Sequence, residues 1–201
     1  MFLTLFNRGA TMIPMIRAGL MLFLGFVLIA AVGYPCLIGI LDHLFFKQQA
    51  YGSMMEDQNI LVGSKLIGQD FQDPKNFWGR PSSTGPYPYN PLASRASNQA
   101  LSAASYVHLL EQRIATFKQT HPRNTGPVPI DLITSSASGL DPDISLEAAL
   151  YQLPRIAEAR KLSIQRVESV IYSCYQERVA YLLGQPRVNV LCLNIKLKSQ
   201  V

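Results

Sequence analysis

A long uncharged apolar run near the N-terminus limits what this chain of 201 residues can fold into. No Asp, Glu, Lys or Arg occurs between Ala18 and Leu41. As a helix rising about 1.5 Å per residue, the run would measure about 36 Å, whereas the hydrocarbon core of a bilayer is about 30 Å thick. We therefore predict one transmembrane helix over residues 18–41.

Basic residues on the N-terminal side of this run indicate its orientation. Arg8 and Arg17 precede the run, and no Asp or Glu occurs before Asp42. Positive charge beside a first span favours the cytoplasmic side of the membrane. The sequence thus predicts a short cytoplasmic N-terminus, residues 1–17, on a single-pass protein of the cell inner membrane whose main domain lies outside.

A cleaved signal peptide is the alternative interpretation of the same run. Residues 31–33, Ala-Val-Gly, would serve as a small-residue cleavage site, but the apolar run continues to Leu41. The apolar region of a secretory signal is shorter, about 7–15 residues. The length of the run therefore favours an uncleaved anchor.

The residues after the span are predicted to form a tether and then one globular domain. Residues 42–59 are of mixed polarity, and helix-like and strand-like patterns alternate over residues 60–201. The predicted fold class is a single N-terminal transmembrane helix plus one mixed α/β (α+β) extracytoplasmic domain. The predicted span implies a lipid bilayer as partner. The net charge of +5 is mild and the basic residues are scattered, so we expect no nucleic acid as partner.

Three segments of the domain carry apolar residues at three- and four-residue spacing, which predicts helices. They cover residues 98–119, 145–161 and 163–174, and Ser163 is the expected N-cap of the third helix. Pro154 should kink the second helix or split it in two, because proline lacks the backbone donor that a helix interior needs.

Two further segments predict strands, and one predicts a loop. Residues 128–134 are strand-like, and apolar and polar residues alternate over 191–198. Residues 73–91 are rich in proline and glycine, which is incompatible with extended regular structure. This loop also carries aromatic residues that argue for packing rather than disorder: Phe77, Trp78, Tyr87 and Tyr89.

The cysteines leave two alternatives open. Cys36 lies in the predicted span, whereas Cys174 and Cys192 lie in the domain. These two would be able to form a disulfide if the domain is extracytoplasmic. We favour two buried free thiols, because cysteine is commonly a small core residue.

The sequence lacks the common motifs of catalysis and nucleotide binding. It contains no G-x-x-x-x-G-K-[ST], G-x-G-x-x-G, H-E-x-x-H or C-x-x-C pattern, and we assign no catalytic, cofactor-binding or metal-binding residue. The serine-rich segment 135–138 is expected to form a turn. A membrane-anchored extracytoplasmic hydrolase using Ser138 and a ligand-binding module are the alternatives to a non-catalytic protein.

Six sequence blocks, taken together, resemble a known family. They comprise residues 66–71, 77–82, 89–94 with 97–98, 131–145, 148–160 and 183–191. Their order and spacing, together with the single N-terminal span, are similar to those of the C subunit of the bacterial high-affinity potassium-transporting P-type ATPase, the Kdp complex. The resemblance covers nearly the whole chain.

This resemblance implies a non-catalytic accessory subunit. In the family, separate chains supply the potassium pore, the P-type ATPase and a small membrane subunit, and these are the expected partners. The C subunit is described as an assembly factor and a catalytic chaperone that raises the affinity of the ATPase subunit for ATP. We expect no directly bound cofactor, with ATP reached only through the ATPase subunit.

The predicted orientation constrains how such an effect could operate. A translocated domain cannot touch cytosolic ATP, so we expect the chain to bias a conformational equilibrium of its partners across the membrane. A cap over the outward mouth of the potassium pore is one concrete form of this coupling.

Polar residues in the family-like blocks are candidates for contacting the partner subunits. For Asp141 and Asn189 we favour turn capping over partner contact, and for Arg155 a solvated helix face is an equal alternative. The candidates are Gln69, Arg80, Asp141, Gln152, Arg155 and Asn189. Within the span, small residues suit close approach of another helix, and the candidates there are Gly19, Gly25 and Gly33.

Overall fold

The computed structural model describes the backbone of residues 3–200 and the side chains of residues 12–200. The side chain of Arg8, used above for orientation, lies outside the described residues. The chain divides into two compact units, residues 1–51 and 52–201. The second unit is close to the domain predicted over residues 60–201, but it begins earlier.

The first unit is helical. It consists of α1 (Leu3–Leu28), a π-helical turn (Ile29–Gly33), α2 (Tyr34–Phe45) and the short α3 (Lys47–Ala50). Helical structure continuous from Met12 to Phe45 is long and apolar enough to cross a membrane, and none of its side chains is buried within the chain. The prediction of an N-terminal helix that could span a membrane is confirmed.

The π-helical turn has a local cause in the sequence. Pro35 lacks a backbone N–H and so cannot donate to the carbonyl four residues earlier. Immediately before it, the N–H of Tyr34 donates to the carbonyl of Ile29, five residues back rather than four. Wider winding of this kind accommodates a break in the regular ladder.

The predicted tether, residues 42–59, contains regular structure. It includes the end of α2, all of α3 and strand β1 (Met54–Asp57). Strand β1 pairs antiparallel with β2 (Ile60–Ser64), with Met54 opposite Ser64 and a register shift between Met55 and Glu56. The second unit therefore starts with a hairpin close to the end of the helical unit in sequence.

The second unit combines this hairpin with a small three-stranded sheet and four helices. The sheet has the order β3-β5-β4 and is antiparallel throughout. The strands and helices are β3 (Asp143–Ile144), β4 (Tyr175–Gln176), β5 (Arg187–Asn189), α4 (Ala104–Thr120), α5 (Leu146–Arg160), α6 (Ile164–Cys174) and α7 (Val190–Lys198). The prediction of a mixed helix and strand domain is confirmed.

Helices α5, α6 and α7 supply most of the hydrophobic core. The side chains of Ile156, Ile171 and Leu193 are fully buried within it. Ser145 and Ser163 cap α5 and α6, since each side-chain oxygen accepts a bond from a backbone N–H three residues on. These two predicted helices are confirmed, and α5 runs through Pro154 as one helix rather than two.

Helix α4 begins later than predicted and is less buried. The predicted helix covered residues 98–119, but α4 starts at Ala104, and Leu101 and Val107 of the expected inner face are exposed. Tyr106 is its buried residue. Near the end of the helix, Phe117 packs against the core.

Both strand predictions in the second half of the chain are wrong. Residues 128–134 contain a 3-10 turn (Ile130–Leu132), because Pro129 cannot donate a ladder hydrogen bond and its carbonyl instead accepts from Leu132. Residues 191–198 belong to helix α7, whose N-cap is Asn189. Its buried positions follow the helical period, at Val190, Leu191, Leu193, Asn194 and Leu197.

The preference for two free thiols is also wrong. Cys174 and Cys192 are joined by a disulfide, with Cα atoms 6.0 Å apart. It links the end of α6 to the first turn of α7, on either side of the β4–β5 segment. Antiparallel pairing of β4 with β5 brings these two positions together, which sequence spacing alone could not show.

Candidate functional site

Two side-chain networks organise the irregular part of the domain, and they contain most of the predicted contact residues. The first holds the loop of residues 73–81 against α5 and α7. The second joins the loops at residues 80 and 141 to strand β5.

Gln152 of α5 binds the backbone of the loop at a single residue. Its Oε1 accepts a hydrogen bond from Trp78 N at 2.8 Å, and its Nε2 donates to Trp78 O at 3.0 Å. The side chain is fully buried. A primary amide therefore pairs with one residue's N–H and C=O, as a neighbouring strand would do.

Asn194 of α7 repeats this arrangement one residue earlier. Its Oδ1 accepts from Phe77 N at 2.8 Å, and its Nδ2 donates to Phe77 O at 3.0 Å. The Phe77 ring is fully buried in the core. Two amide side chains from different helices thus satisfy the backbone of Phe77 and Trp78 in a loop that has no strand partner.

Arg155 completes the first network. Its Nη2 donates to Gln152 Oε1 at 2.9 Å and to Asn76 O at 3.0 Å, and its Nη1 donates to Pro74 O. The guanidinium carbon lies 4.2 Å from the centre of the Trp78 ring, within cation–π range. Burial lowers the pKa of Arg155 to about 10, so the group remains positively charged at neutral pH.

His121 lies beneath Arg155 and is held in its neutral form. Arg155 Nε donates to His121 Nε2 at 2.9 Å, so the ring proton must reside on Nδ1, which faces Phe117 O at 2.9 Å. Burial, and then the charge of Arg155, lower the pKa of His121 to about 4 despite the bond to Phe117. Aromatic neighbours pack around the ring: Trp78, Phe117 and Tyr151.

The second network centres on two aspartates. Arg80 Nη1 pairs with Asp141 Oδ2 at 3.0 Å, and Asp141 Oδ1 accepts from Asp143 N at 3.1 Å. Asp143 in turn pairs with Arg187 at 3.1 Å and accepts from Asn189 Nδ2 at 2.9 Å. Burial is the largest influence on Asp143 and raises the pKa of its carboxyl.

Close backbone approach at Gly68 brings a third loop to this network. The N–H of Gly68 donates to Leu140 O at 2.9 Å, and a Cβ at Gly68 would lie 2.3 Å from the Tyr89 ring. The Tyr89 hydroxyl donates to Arg80 O at 2.5 Å. Only glycine fits at residue 68 without moving Tyr89, so the family-like blocks around residues 68, 80, 89 and 141 meet in space.

A polar cleft of about 490 Å³ opens beside the second network. Its charged lining residues are Arg80, Asp131, Asp141, Asp143, Glu147 and Arg187. Asp131 has a structural role, because its Oδ2 accepts a hydrogen bond from Ser145 N at 2.7 Å. In the part of the chain that the structure describes, no group of three or more His, Cys, Asp or Glu is placed to hold a metal ion.

The structure places the six predicted contact residues in three locations. Gln152 and Arg155 meet in the first network, and Arg80, Asp141 and Asn189 meet in the second. Gln69 lies apart, where its Nε2 donates to Val62 O at 2.9 Å. All six bind other groups of the domain, so contact with a partner chain stays a prediction for each of them.

Burial separates these candidates further. Gln152 and Asn189 are buried, and Asn189 caps α7 by accepting from Cys192 N at 3.0 Å. Their position favours a structural role, and Asn189 caps a helix rather than a turn. Arg155 is not a solvated helix-face residue, because its guanidinium bonds to the loop and to His121.

Sequence reasoning missed several members of these networks as functional side chains, among them Trp78, His121 and Asn194. Trp78 was expected to pack but not to lie under an arginine, and His121 lies just beyond the helix predicted over residues 98–119. Asn194 was hidden by the alternating pattern assigned to a strand. The signal that would have indicated such a clamp is an Asn or Gln at a core position of a helix, because a buried amide requires hydrogen-bond partners.

Four other predicted positions, one serine and three glycines, have only local surroundings. Ser138 Oγ accepts from Leu140 N at 3.1 Å and lies 3.5 Å from Ser136 Oγ, in keeping with a turn. A Cβ added at Gly19 or Gly25 would meet nothing within 4 Å, and at Gly33 it would meet only Leu28 O of the same helix at 4.0 Å. Helix packing through these glycines stays a prediction.

Comparison with known proteins assigns the chain to a family. The model of KdpC, the c chain of the K⁺-transporting ATPase, matches residues 16–199. A potassium-transporting ATPase KdpC subunit of Herminiimonas arsenicoxydans is 47% identical over 182 residues, covering 90% of this chain and 96% of that protein. The KdpC subunit of Methylococcus capsulatus is 45% identical over 188 residues, covering 94% and 99%.

A third relative agrees with these two. The KdpC subunit of Yersinia pestis is 45% identical over 184 residues, covering 92% of each chain. The family match over residues 16–199 includes the N-terminal span and both side-chain networks. The chain therefore belongs to the KdpC family and has an accessory role in potassium transport.

Proposed function

We propose that this chain is a non-catalytic subunit that holds an ATP-driven potassium import complex together in the cell inner membrane. The observation that carries the proposal is that the chain combines two units: an apolar helix none of whose side chains is buried, and a separately packed domain. Exposed apolar side chains along a span need lipid or other helices around them. Its partners are then the potassium-pore subunit, the P-type ATPase subunit and a small membrane subunit.

We further propose that the domain lies outside the cytoplasm. The disulfide between Cys174 and Cys192 supports this orientation, because disulfides persist in oxidising compartments. Arg8 and Arg17 before the span favour the same topology. A cysteine introduced at Gln119, on the exposed face of α4, should react with a membrane-impermeant maleimide in intact spheroplasts. Labelling only after lysis would overturn the orientation.

Chaperone action on the ATPase subunit follows as an indirect effect. A domain outside the membrane would raise the affinity for ATP by favouring one conformation of its partners, most simply by capping the outward mouth of the potassium pore. Such coupling needs different contacts in two states of the complex, not a nucleotide site on this chain.

Deletion of this chain is the experiment that tests the proposal. The remaining subunits would be solubilised, and both their co-purification and the ATP dependence of potassium-stimulated hydrolysis would be measured. Loss of co-purification supports a structural clamp, whereas an intact complex with weaker apparent ATP affinity supports the chaperone role. Normal assembly and normal hydrolysis without the chain would overturn both.

A matched substitution separates this proposal from the hydrolase alternative. Ser138→Ala should leave assembly and pumping unchanged, because the serine oxygen serves a turn next to Leu140. Loss of a hydrolytic activity in Ser138→Ala, with assembly intact, would favour the enzyme instead.

A further inference from the structure

The segment between β4 and β5 forms an exposed arm with an apolar tip. All residues from 177 to 187 are exposed. At the tip, the exposed fractions are 68% for Val179, 82% for Tyr181, 81% for Leu182 and 66% for Leu183. Four large apolar side chains within five residues leave an unusually concentrated apolar surface in water.

The backbone of the tip has a defined shape. Val179 N donates to Leu183 O at 2.9 Å and Leu183 N donates to Val179 O at 3.0 Å, while Leu182 N closes a turn onto Val179 O at 3.2 Å. A tight turn thus projects the side chains of residues 180–182 away from the domain.

The two central residues of this turn are poor choices for its conformation. Ala180 has φ 53° and Tyr181 has φ 61°. Turns with positive φ at both central residues strongly prefer Asn and Gly, because a Cβ clashes with the backbone there. A tyrosine at such a position costs stability, and at 82% exposure it adds little buried surface among the residues that the structure describes, so its side chain points to a role outside the domain.

We infer that this tip, residues 179–183, docks into an apolar pocket on the extracytoplasmic surface of another subunit of the complex. The inference rests on the proposed function, because it requires that the chain has partner subunits and that the domain lies outside. Tyr181 and Leu182 would be the central anchors, since aromatic side chains seated in pockets dominate many protein interfaces.

The shape and charge of the arm favour a protein pocket over the bilayer. A fluid lipid interface adapts to any apolar side chain, so a fixed, strained turn would not strengthen binding to it. A pocket of fixed shape binds a preorganised turn more tightly than a flexible one. The base of the tip carries both Glu177 and Arg178. A carboxylate next to an arginine suits a protein rim with charges of both signs better than an anionic lipid surface.

Two glycine substitutions separate docking from folding. Tyr181→Gly removes the ring and relieves the positive-φ strain, so the domain itself should not be weakened. Ala180→Gly relieves the same kind of strain and keeps every tip side chain except a methyl group. Relative affinity would be measured by competition, in which unlabelled full-length wild type or either variant displaces labelled wild-type chain from the purified, detergent-solubilised complex.

We expect Tyr181→Gly to weaken binding by tenfold or more and Ala180→Gly to stay within twofold of wild type. Wild-type affinity for Tyr181→Gly would overturn the inference. If wild type itself does not bind, the proposed function fails instead, and the two failures are thereby distinguished.

A photo-crosslinker identifies the occupant directly. Leu182 would be replaced by p-benzoylphenylalanine in the full chain within the assembled, bilayer-reconstituted complex. A crosslink to another subunit supports the inference. Adducts with lipid alone, a crosslink only to a second copy of this chain, or no adduct would each overturn it.

Discussion

Two irregular segments of the domain, the loop of residues 73–91 and the arm of residues 177–186, differ in how they place their apolar side chains. The loop buries Phe77 in the core and has the backbone of Phe77 and Trp78 fully bonded by Asn194 and Gln152. The arm leaves Tyr181 and its apolar neighbours in solvent. Both segments contain glycine and proline, so composition does not distinguish them.

The difference lies in what the neighbouring helices supply. Helices α5 and α7 direct buried amides at the loop, and these replace the partners that a strand would give its backbone. The arm has its own turn hydrogen bonds, but its apolar side chains are exposed and are not packed into the core that the described residues form. The backbone of the loop is thus satisfied within the domain, whereas we infer that the apolar tip of the arm is covered by another subunit.

Loss of the glutamine clamp should have the largest effect on this comparison. Gln152→Leu keeps the volume but leaves Trp78 N and Trp78 O without partners in a buried setting, which costs about 3–5 kcal/mol of the free energy of unfolding. Because Trp78 is the only tryptophan, its fluorescence during guanidinium unfolding of the full chain in detergent reports the loop directly.

An exposed glutamine just before the loop provides the control. Gln72 bonds only to Asp70 at the surface, so Gln72→Leu should change the free energy of unfolding by less than about 0.5 kcal/mol. Equal stability losses for the two variants would contradict the clamp.

The sequence predicted the loop and helix α5 better than the contacts that join them. Prolines and glycines identified residues 73–91 as irregular, and the aromatic residues indicated packing, which Phe77 confirms. The clamping residues were harder to find, because pairing Gln152 with Trp78 joins positions 74 residues apart. Local patterns carry no information on such long-range contacts.

The prediction of a C-terminal strand failed for a related reason. Leu191, Leu193 and Leu197 satisfy both a two-residue and a helical spacing, and only the burial of Asn194 and the cap at Asn189 resolve the ambiguity. The span and helices α5 and α6 were predictable because their patterns are long and their caps are local.

Removal of the disulfide tests how much the cross-link at the base of the arm stabilises the domain. Cys174 and Cys192 lie 18 residues apart and flank the β4–β5 segment. Opening a loop of this length costs about 3 kcal/mol in the chain-entropy model. The double variant Cys174→Ala/Cys192→Ala should therefore unfold at lower guanidinium concentration, and a reductant should have the same effect on wild type.

Cys36→Ala is the matched control, because Cys36 is an exposed free thiol. Its unfolding curve should equal that of wild type with and without reductant. If wild type unfolds identically in reductant, the cross-link does not stabilise the arm's base.

Acid should weaken the loop's support through His121. The pKa of His121 is about 4 in the folded chain and 6.5 unperturbed, so the unfolded chain binds more protons between these values. The free energy of unfolding therefore falls as the pH drops from 6.5 to 4, by up to about 1.4 kcal/mol per pH unit, or about 3 kcal/mol as an upper bound. Above pH 6.5 this contribution is constant.

Substitution isolates this histidine from the other titrating groups. His121→Gln should lose most of the slope between pH 4 and 6.5, whereas His108→Gln, at an exposed position of α4, should retain it. A slope unchanged in His121→Gln would show that other groups dominate the acid response.

The smallest expected effect is a gain in stability at the arm's tip. Ala180→Gly places a residue without Cβ at φ 53°, which relieves a clash and is offset in part by the added freedom of glycine in the unfolded chain. We expect the free energy of unfolding to rise by about 0.5 kcal/mol, measured by guanidinium unfolding. A loss of more than about 0.5 kcal/mol would contradict strain at this turn. Since the clamped loop lies elsewhere in the domain, the fluorescence of folded Trp78 should stay unchanged, and a gain confined to the arm would mean that its sequence serves contacts beyond the domain's own stability.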